Sequence, residues 1–174
     1  MILTGYAIQV EHDLWPGTII DPIQAASADT ALLAAYCLAN VDPAVAERSR
    51  EGDILVVCGQ VYDGPGAEDA VYALQALGLA AIICTAAAAP FMHVAGQAGL
   101  PVLVQPAAAR QISTGDVLRL DLARGRILCL TADAQATKFD WDCCACPPEI
   151  VQQVQRMQLL TRMRRVVEDE GFAE

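Results

Sequence analysis

Basic residues are scarce in this chain of 174 residues: 11 Lys and Arg stand against 21 Asp and Glu, a net charge of −10. Counterion release on nucleic acid and attraction to anionic lipid both need clustered cations, so neither nucleic acid nor membrane is expected as a partner. The one basic cluster, Arg162, Arg164 and Arg165, runs into Glu168, Asp169 and Glu170 and reads as a solvated helix face. Aromatic residues make up only 5%. The apolar fraction of 55% rests instead on Ala, Val and Leu, which suits helices packed closely on a sheet. Long apolar runs are missing as well. The most apolar window, Leu77 to Met92, is broken by Thr85 and Pro90 and falls short of the roughly 20 residues a membrane span needs. Internal repeats and low-complexity linkers are absent. Met1-Ile2-Leu3-Thr4-Gly5-Tyr6 lacks a basic stretch followed by a continuous apolar one, so no signal peptide is expected and the chain is assigned to the cytoplasm.

A chain of this length is expected to form a single domain, burying about 70% of its unfolded surface. Its seven cysteines are an odd number, which does not suggest a disulfide framework. Cys37, Cys58, Cys84 and Cys129 sit singly in apolar surroundings and read as core.

The patterning is richest between Gly52 and Val104. Asp53 is followed by the continuous apolar run Ile54-Leu55-Val56-Val57-Cys58, which predicts a strand covered on both faces and therefore a parallel sheet. Glu68 to Leu77 places Val71, Leu74 and Leu77 on one helical face, Gly78 ends it, and Ala80 to Cys84 is the next strand. A helix is expected over Ala86 to Ala98 with a break at Pro90, then a strand Val102-Leu103-Val104 introduced by Pro101. Val117 to Leu122 alternates, Ala123-Arg124-Gly125 turns, and Arg126 to Thr131 returns, an antiparallel hairpin. Upstream, Ile8 to Pro22 reads as an extended start. Ser27 caps a helix through Asn40, and Asp42-Pro43 opens a short one to about Arg50. A polar, irregular link follows Thr131 as far as Trp141. Pro148 then opens a helix to about Val167 with an apolar stripe of Ile150, Val154, Met157, Leu160, Met163 and Val167.

Gly52-Asp53-Ile54-Leu55-Val56-Val57-Cys58-Gly59, the turn Gly64-Pro65-Gly66-Ala67-Glu68-Asp69-Ala70, Ala81-Ile82-Ile83-Cys84 and Gly99-Leu100-Pro101 follow one another in an order that resembles the small swivel subunit of aconitase-like dehydratases, above all 3-isopropylmalate dehydratase. The Gly115-Asp116 strand and its return strand resemble that family's ending too. The resemblance implies a three-layer β/β/α swivelling domain. It also implies a hydro-lyase or isomerase acting on a small hydroxy-acid, with a separate aconitase-like large subunit that carries a [4Fe–4S] cluster and no cofactor in this chain. A homo-oligomer is left open for the isolated chain.

In that family the turn reads Gly-Ser-Ser-Arg-Glu-His-Ala and supplies a serine base and an arginine that grips a carboxylate. Here Pro65, Gly66 and Ala67 stand at those positions. By resemblance the catalytic candidates are Glu68, which matches the family's Glu, and Asp63. Glu68 also reads as a carboxylate stabilised by the helix start with no catalytic role. Gly64, Pro65, Gly66 and Ala67 are the substrate-binding candidates, since a Gly-rich turn before a helix offers backbone N–H groups to an anion.

Cys143, Cys144 and Cys146 form a second candidate site, three soft ligands in four residues suited to zinc or an iron-sulfur cluster, with partly buried packing as the alternative. His12 and His93 are expected to be hydrogen-bonded structural residues. Three functions stay open at this point: a hydro-lyase small subunit, a non-catalytic interaction module on the same fold, and a metal-binding protein built on the cysteine cluster.

Overall fold

A computed structural model of the chain describes residues 1–27, 29–131, 134 and 136–169, with the last helix described by its backbone alone at 161, 162 and 164–169. The basic cluster at Arg162, Arg164 and Arg165, Val167 of the predicted stripe, and the acids that follow lie outside the described side chains. The first half of the chain forms β1 (Ile2–Val10), α1 (Pro16–Ile19), α2 (Pro22–Ala25), α3 (Thr30–Tyr36), α4 (Ala44–Arg48), β2 (Ile54–Val61) and α5 (Ala67–Ala76). The second half forms β3 (Ala81–Ala87), α6 (Ala89–Gln97), β4 (Val102–Val104), α7 (Pro106–Gln111), β5 (Val117–Asp121), β6 (Arg126–Leu130), β7 (Thr137–Asp142) and α8 (Pro148–Asp169).

The seven strands join in the order β4-β3-β2-β1-β5-β6-β7. β1 to β4 run parallel, and β1, β5, β6 and β7 run antiparallel. Alternation along β2 sorts two cores. Leu55 and Val57 join Ile82, Cys84 and the helical residues Leu33, Val71, Leu74 and Phe91. Ile54 and Val56 instead join Ala81, Ile83, Leu118, Leu120, Ile127 and Cys129. The parallel strands are thus covered by helices on one face and by the antiparallel strands on the other, the three-layer β/β/α arrangement. That is the physical reason the run Ile54 to Cys58 has no polar face.

Two Gly-Asp pairs make the same turn at the edges of this core. Asp53, only 4% exposed, accepts the Arg50 N–H on Oδ2 at 2.8 Å and donates its own N–H to the Arg50 carbonyl at 3.1 Å. Asp116 does likewise with Ser113, at 2.9 and 3.1 Å. Gly52 and Gly115 precede them with φ near +93°, a conformation that favours glycine. The Gly52 carbonyl then lies against Gly5 of β1 so closely that a Cβ on Gly5 would overlap its oxygen.

Several elements depart from the sequence reading. β1 begins at Ile2 rather than as a loose extended start at Ile8, and it lies in the middle of the sheet. Its alternation is clear to Tyr6 and then gives way to buried Ala7 and Ile8, because the second half enters the two-sided parallel layer. α3 is capped by Asp29, whose Oδ1 accepts the Ala31 N–H at 2.9 Å, while Ser27 merely accepts from Asp29, and Leu38 at φ +60° prevents extension to Asn40. Ala86 and Ala87 belong to β3, so Pro90 opens α6 instead of breaking it, as its fixed φ favours. α7 packs on β2 and β3 with Gln105 capping Ala107 at 3.1 Å. The expected irregular link contains β7, a polar edge strand recognisable only by its ladder to β6. In α8, Val154 is buried, yet Leu160 and Met163 of the predicted stripe are exposed.

Between β7 and α8 the chain is pinned to the β5–β6 turn: Cys143 N–H donates to Gly125 C=O at 2.7 Å and Cys146 N–H to Leu122 C=O at 2.8 Å. Both side chains pack against the second core, whereas Cys144 is exposed. Cys37, Cys84 and Cys129 are buried as expected. Cys58 is only partly so, its thiol donating to the Ala109 carbonyl and accepting from Gln9 Nε2, each at 3.0 Å.

Two predictions follow from this packing. Gly5→Ala should cost about 1–3 kcal/mol of stability, read as a fall of several degrees in melting temperature, because backbone must move to admit the methyl. Gly17→Ala, with open space around it, should stay within about 0.5 kcal/mol, and equal melting temperatures would contradict the close β1–β2 crossing. Burial, then the neighbouring Cys146, Cys144 and Asp142, push the Cys143 thiol up to about 11, and burial raises Cys146. Iodoacetamide at pH 8 should therefore alkylate Cys144 first, with Cys143 entering as the pH rises toward 11 and its thiolate forms, measured by peptide mass mapping.

Candidate active-site loop at the carboxyl end of the parallel strands

Ligands of open parallel sheets bind outside the carboxyl ends of the strands, and the segment predicted to carry the site, Asp63 to Glu68, follows β2 at that end. Its root is fixed from both sides. Leu14 bridges Val61, with Leu14 N–H donating to Gln60 C=O and Tyr62 N–H to Leu14 C=O, each at 2.8 Å. Asp13 accepts the Gln60 N–H at 2.8 Å, and a Cβ on Gly59 would lie 2.8 Å from the Asp13 nitrogen, so only glycine admits this approach. On the other flank Thr85 Oγ1 donates to Gly59 C=O at 2.6 Å and Ala88 N–H to Val61 C=O at 2.9 Å.

From that root the chain turns through Tyr62, Asp63, Gly64, Pro65 and Gly66 into α5. Asp63 and Gly64 are partly buried, while Pro65, Gly66 and Glu68 are exposed. Gly66 is the N-cap, at φ +83°, and supplies no side-chain bond; Ala70 N–H donates to its carbonyl at 2.9 Å. Glu68 and Asp69 occupy the first turn, where the helix macrodipole stabilises carboxylates. The loop therefore brings together Asp63, Glu68 and the backbone of Gly64 to Ala67. It offers two carboxylates to take up a proton and a backbone turn, and nothing at Pro65, Gly66 or Ala67 that could serve as a side-chain base or a carboxylate clamp.

Charge sharpens this. Residues 1–47 and 51–109 contain no Lys or Arg, so the Lys and Arg of the helix-and-parallel-strand half are Arg48, Arg50 and, on α7 beyond β4, Arg110. Arg48 is paired with Asp42, and both lie before β2, at the opposite end of that strand from the loop. The segments that meet at the loop, residues 11–16 and 62–69, therefore carry no Lys or Arg of their own. The signal was present in the sequence as an empty stretch, which motif matching passes over. Also missed was Trp15, which stacks on Tyr62 beside the loop with ring centroids 3.9 Å apart and planes 4° from parallel.

The cysteine candidates do not assemble. Among the described residues no group of three His, Cys, Asp or Glu could hold a metal ion. Cys143 and Cys146 pack against the second core, while Cys144 is exposed. The partly buried packing alternative accounts for the segment. His12 and His93 are both exposed, which removes the structural role expected of them. A cavity of about 560 Å³ lies elsewhere, lined by Glu51, Gly78, Gly99 and Met157 at the amino ends of β2 and β3, away from the loop. No helix among the described residues is long and apolar enough to cross a membrane.

No family profile matches the chain. It is 32% identical over 131 residues to the 3-isopropylmalate dehydratase small subunit of Moorella thermoacetica, covering 75% of this chain and 79% of the relative. It is 30% identical over 135 residues to that of Caldicellulosiruptor saccharolyticus, covering 78% of each. The solved structure of 3-isopropylmalate dehydratase LeuD from Methanocaldococcus jannaschii matches 98% of this chain and 100% of that one with a TM-score of 0.73 and 23% identity, a likeness of fold. With the strand, loop and helix order laid out above, this identity over three quarters of the chain makes the protein a member of the 3-isopropylmalate dehydratase small-subunit family, a branch of the aconitase-like hydro-lyases.

Proposed function

We propose that the chain works as the small subunit of a cytoplasmic hydro-lyase or isomerase, acting on a small hydroxy-acid together with a separate large subunit that carries a [4Fe–4S] cluster. The family relationship over 75% of the chain is the observation that carries this reading. Seven unpaired cysteines suit a reducing compartment. Cys143 and Cys146 pack against the second core, Cys144 is exposed and no group of three donors assembles among the described residues, which supports assigning the cluster to the large subunit.

What this chain brings is a rooted loop. Asp63, half-buried beside Tyr62, is the better placed proton acceptor, and Glu68 on the first turn of α5 is the second. The backbone of Gly64 to Ala67 lines the approach between them. Proton abstraction beside a carboxylate raises negative charge, and the loop and the segment beside it, residues 11–16 and 62–69, carry no Lys or Arg to offset it. The partner's cations take that part.

One observation favours a second reading, the non-catalytic interaction module: Pro65, Gly66 and Ala67 replace the side chains that act in the resembling enzymes. Turnover separates the two. The chain alone should convert no 3-isopropylmalate and no alkylmalate, and should bind no iron. Assembled with an aconitase-like large subunit it should turn over a hydroxy-diacid. Asp63→Asn should then lower kcat by about 10²-fold or more, and Glu68→Gln should lower it less. Melting temperatures should change little, as expected for partly or fully exposed polar side chains. Full activity in both variants, or none in any assembly, would leave only the interaction module.

A further inference from the structure

Trp15 and Tyr62 are the unexplained feature of the loop end. Neither belongs to the two hydrophobic cores, and Trp15 is 48% exposed although Tyr62 covers one of its faces. Both backbones are nevertheless held in place. Tyr62 is tied to Leu14 at 2.8 Å, and Trp15 N–H donates to Thr18 Oγ1 at 2.8 Å, while Thr18 Oγ1 donates back to the Trp15 carbonyl at 2.8 Å. The result is a flat, pre-ordered π surface that folding alone does not use. It also stands at the right place: Pro16, the next residue, faces the loop, and a Cβ on Gly64 would lie 3.9 Å from its ring.

Electrostatics leaves this surface one role toward a hydroxy-acid. With no Lys or Arg in residues 1–47 or 51–109, the segments that hold Trp15 and Tyr62 bring no Lys or Arg of their own to the acid's carboxylates. An aromatic wall, by contrast, gains from apolar area and from offset stacking whatever the charge nearby. Resting on the hydro-lyase reading above, we infer that Trp15 and Tyr62 receive the apolar substituent of the hydroxy-acid and select a flat, aryl-type group over a small alkyl one. The carboxylates point away, toward the partner. Trp15 and Tyr62 are specificity residues in this scheme and take no part in proton transfer.

The test uses the full chain with 2-benzylmalate and 2-methylmalate, diacids that differ only in the substituent. Saturation-transfer NMR should show the strongest transfer at the phenyl protons, with half-saturation roughly tenfold lower for the benzyl compound. Trp15→Ala and Tyr62→Ala should each raise the benzylmalate half-saturation by about fivefold or more, and Trp141→Phe should leave it unchanged. In the Trp141→Phe chain Trp15 is the sole tryptophan, so its fluorescence should be quenched saturably by benzylmalate and not by methylmalate at equal concentration. Equal half-saturation for the two diacids, no saturable binding, or phenyl transfer that survives Trp15→Ala overturns the inference. An assembled enzyme that turns over only the methyl compound overturns the wall and spares the hydro-lyase reading. Aryl binding at Trp15 with no turnover in any assembly does the reverse.

Discussion

β1 pairs with two different sheets, and the rest of the fold hangs on that crossing. Its first five residues pair antiparallel with β5, and from Ala7 it pairs in parallel with β2. A strand shared in this way forces the two sheets to fold over each other, since the apolar side chains of both halves must share one interior. Gly5 stands at the changeover, pressed on the Gly52 carbonyl where no side chain fits. The Gly-Asp turn that sets this carbonyl in place also starts β2, and a second Gly-Asp turn delivers Asp116, whose carbonyl accepts the Ala7 N–H at 2.8 Å, to the other side of β1. The Gly-Asp pairs are thus explained as architecture, with their carboxylates consumed by turns.

The loop inherits its position from the same strand. Because β1 and β2 run parallel, the segment leaving β1 and the segment leaving β2 emerge together, and Asp13, Leu14 and Trp15 become the wall against which Gln60, Val61 and Tyr62 are set. A loop anchored by backbone bonds keeps its place when its side chains change. This is how Pro65, Gly66 and Ala67 are accommodated without loss of the strand-to-helix connection: none of them contributes a bond on which the root depends. Fold and catalytic equipment are separable here, and the chain keeps the first while offering a changed version of the second.

Most of the parallel layer was legible in the sequence, because two-sided burial writes an unbroken apolar run and glycine marks its ends. Ile54 to Cys58, Ala80 to Cys84 and Val102 to Val104 were found for that reason. β1 was harder to read, since its two halves obey different burial rules within nine residues. β7 was unreadable from pattern: five of its six residues, all but Trp141, are exposed, and its strand character comes from pairing with β6 alone. The resemblance alone singles out the loop Asp63 to Glu68 as a candidate, since a Gly-rich turn before a helix is common. Trp15 was invisible because its contact with Tyr62 spans 47 positions of chain and follows no local period. The cysteine cluster stayed open for another reason, as spacing alone does not tell a thiol facing the core from one facing an ion.

Under the proposed function, the loop end of the parallel strands is the face that this chain offers to a large subunit. Hydrogen–deuterium exchange of the chain, alone and with an aconitase-like large subunit, reads that directly. Residues 11–16 and 62–69 should gain protection in the assembly, while the turns at 50–53 and 78–80, at the other end of the same strands, should exchange as before. No protection anywhere, or protection confined to the 50–53 and 78–80 end, would contradict it.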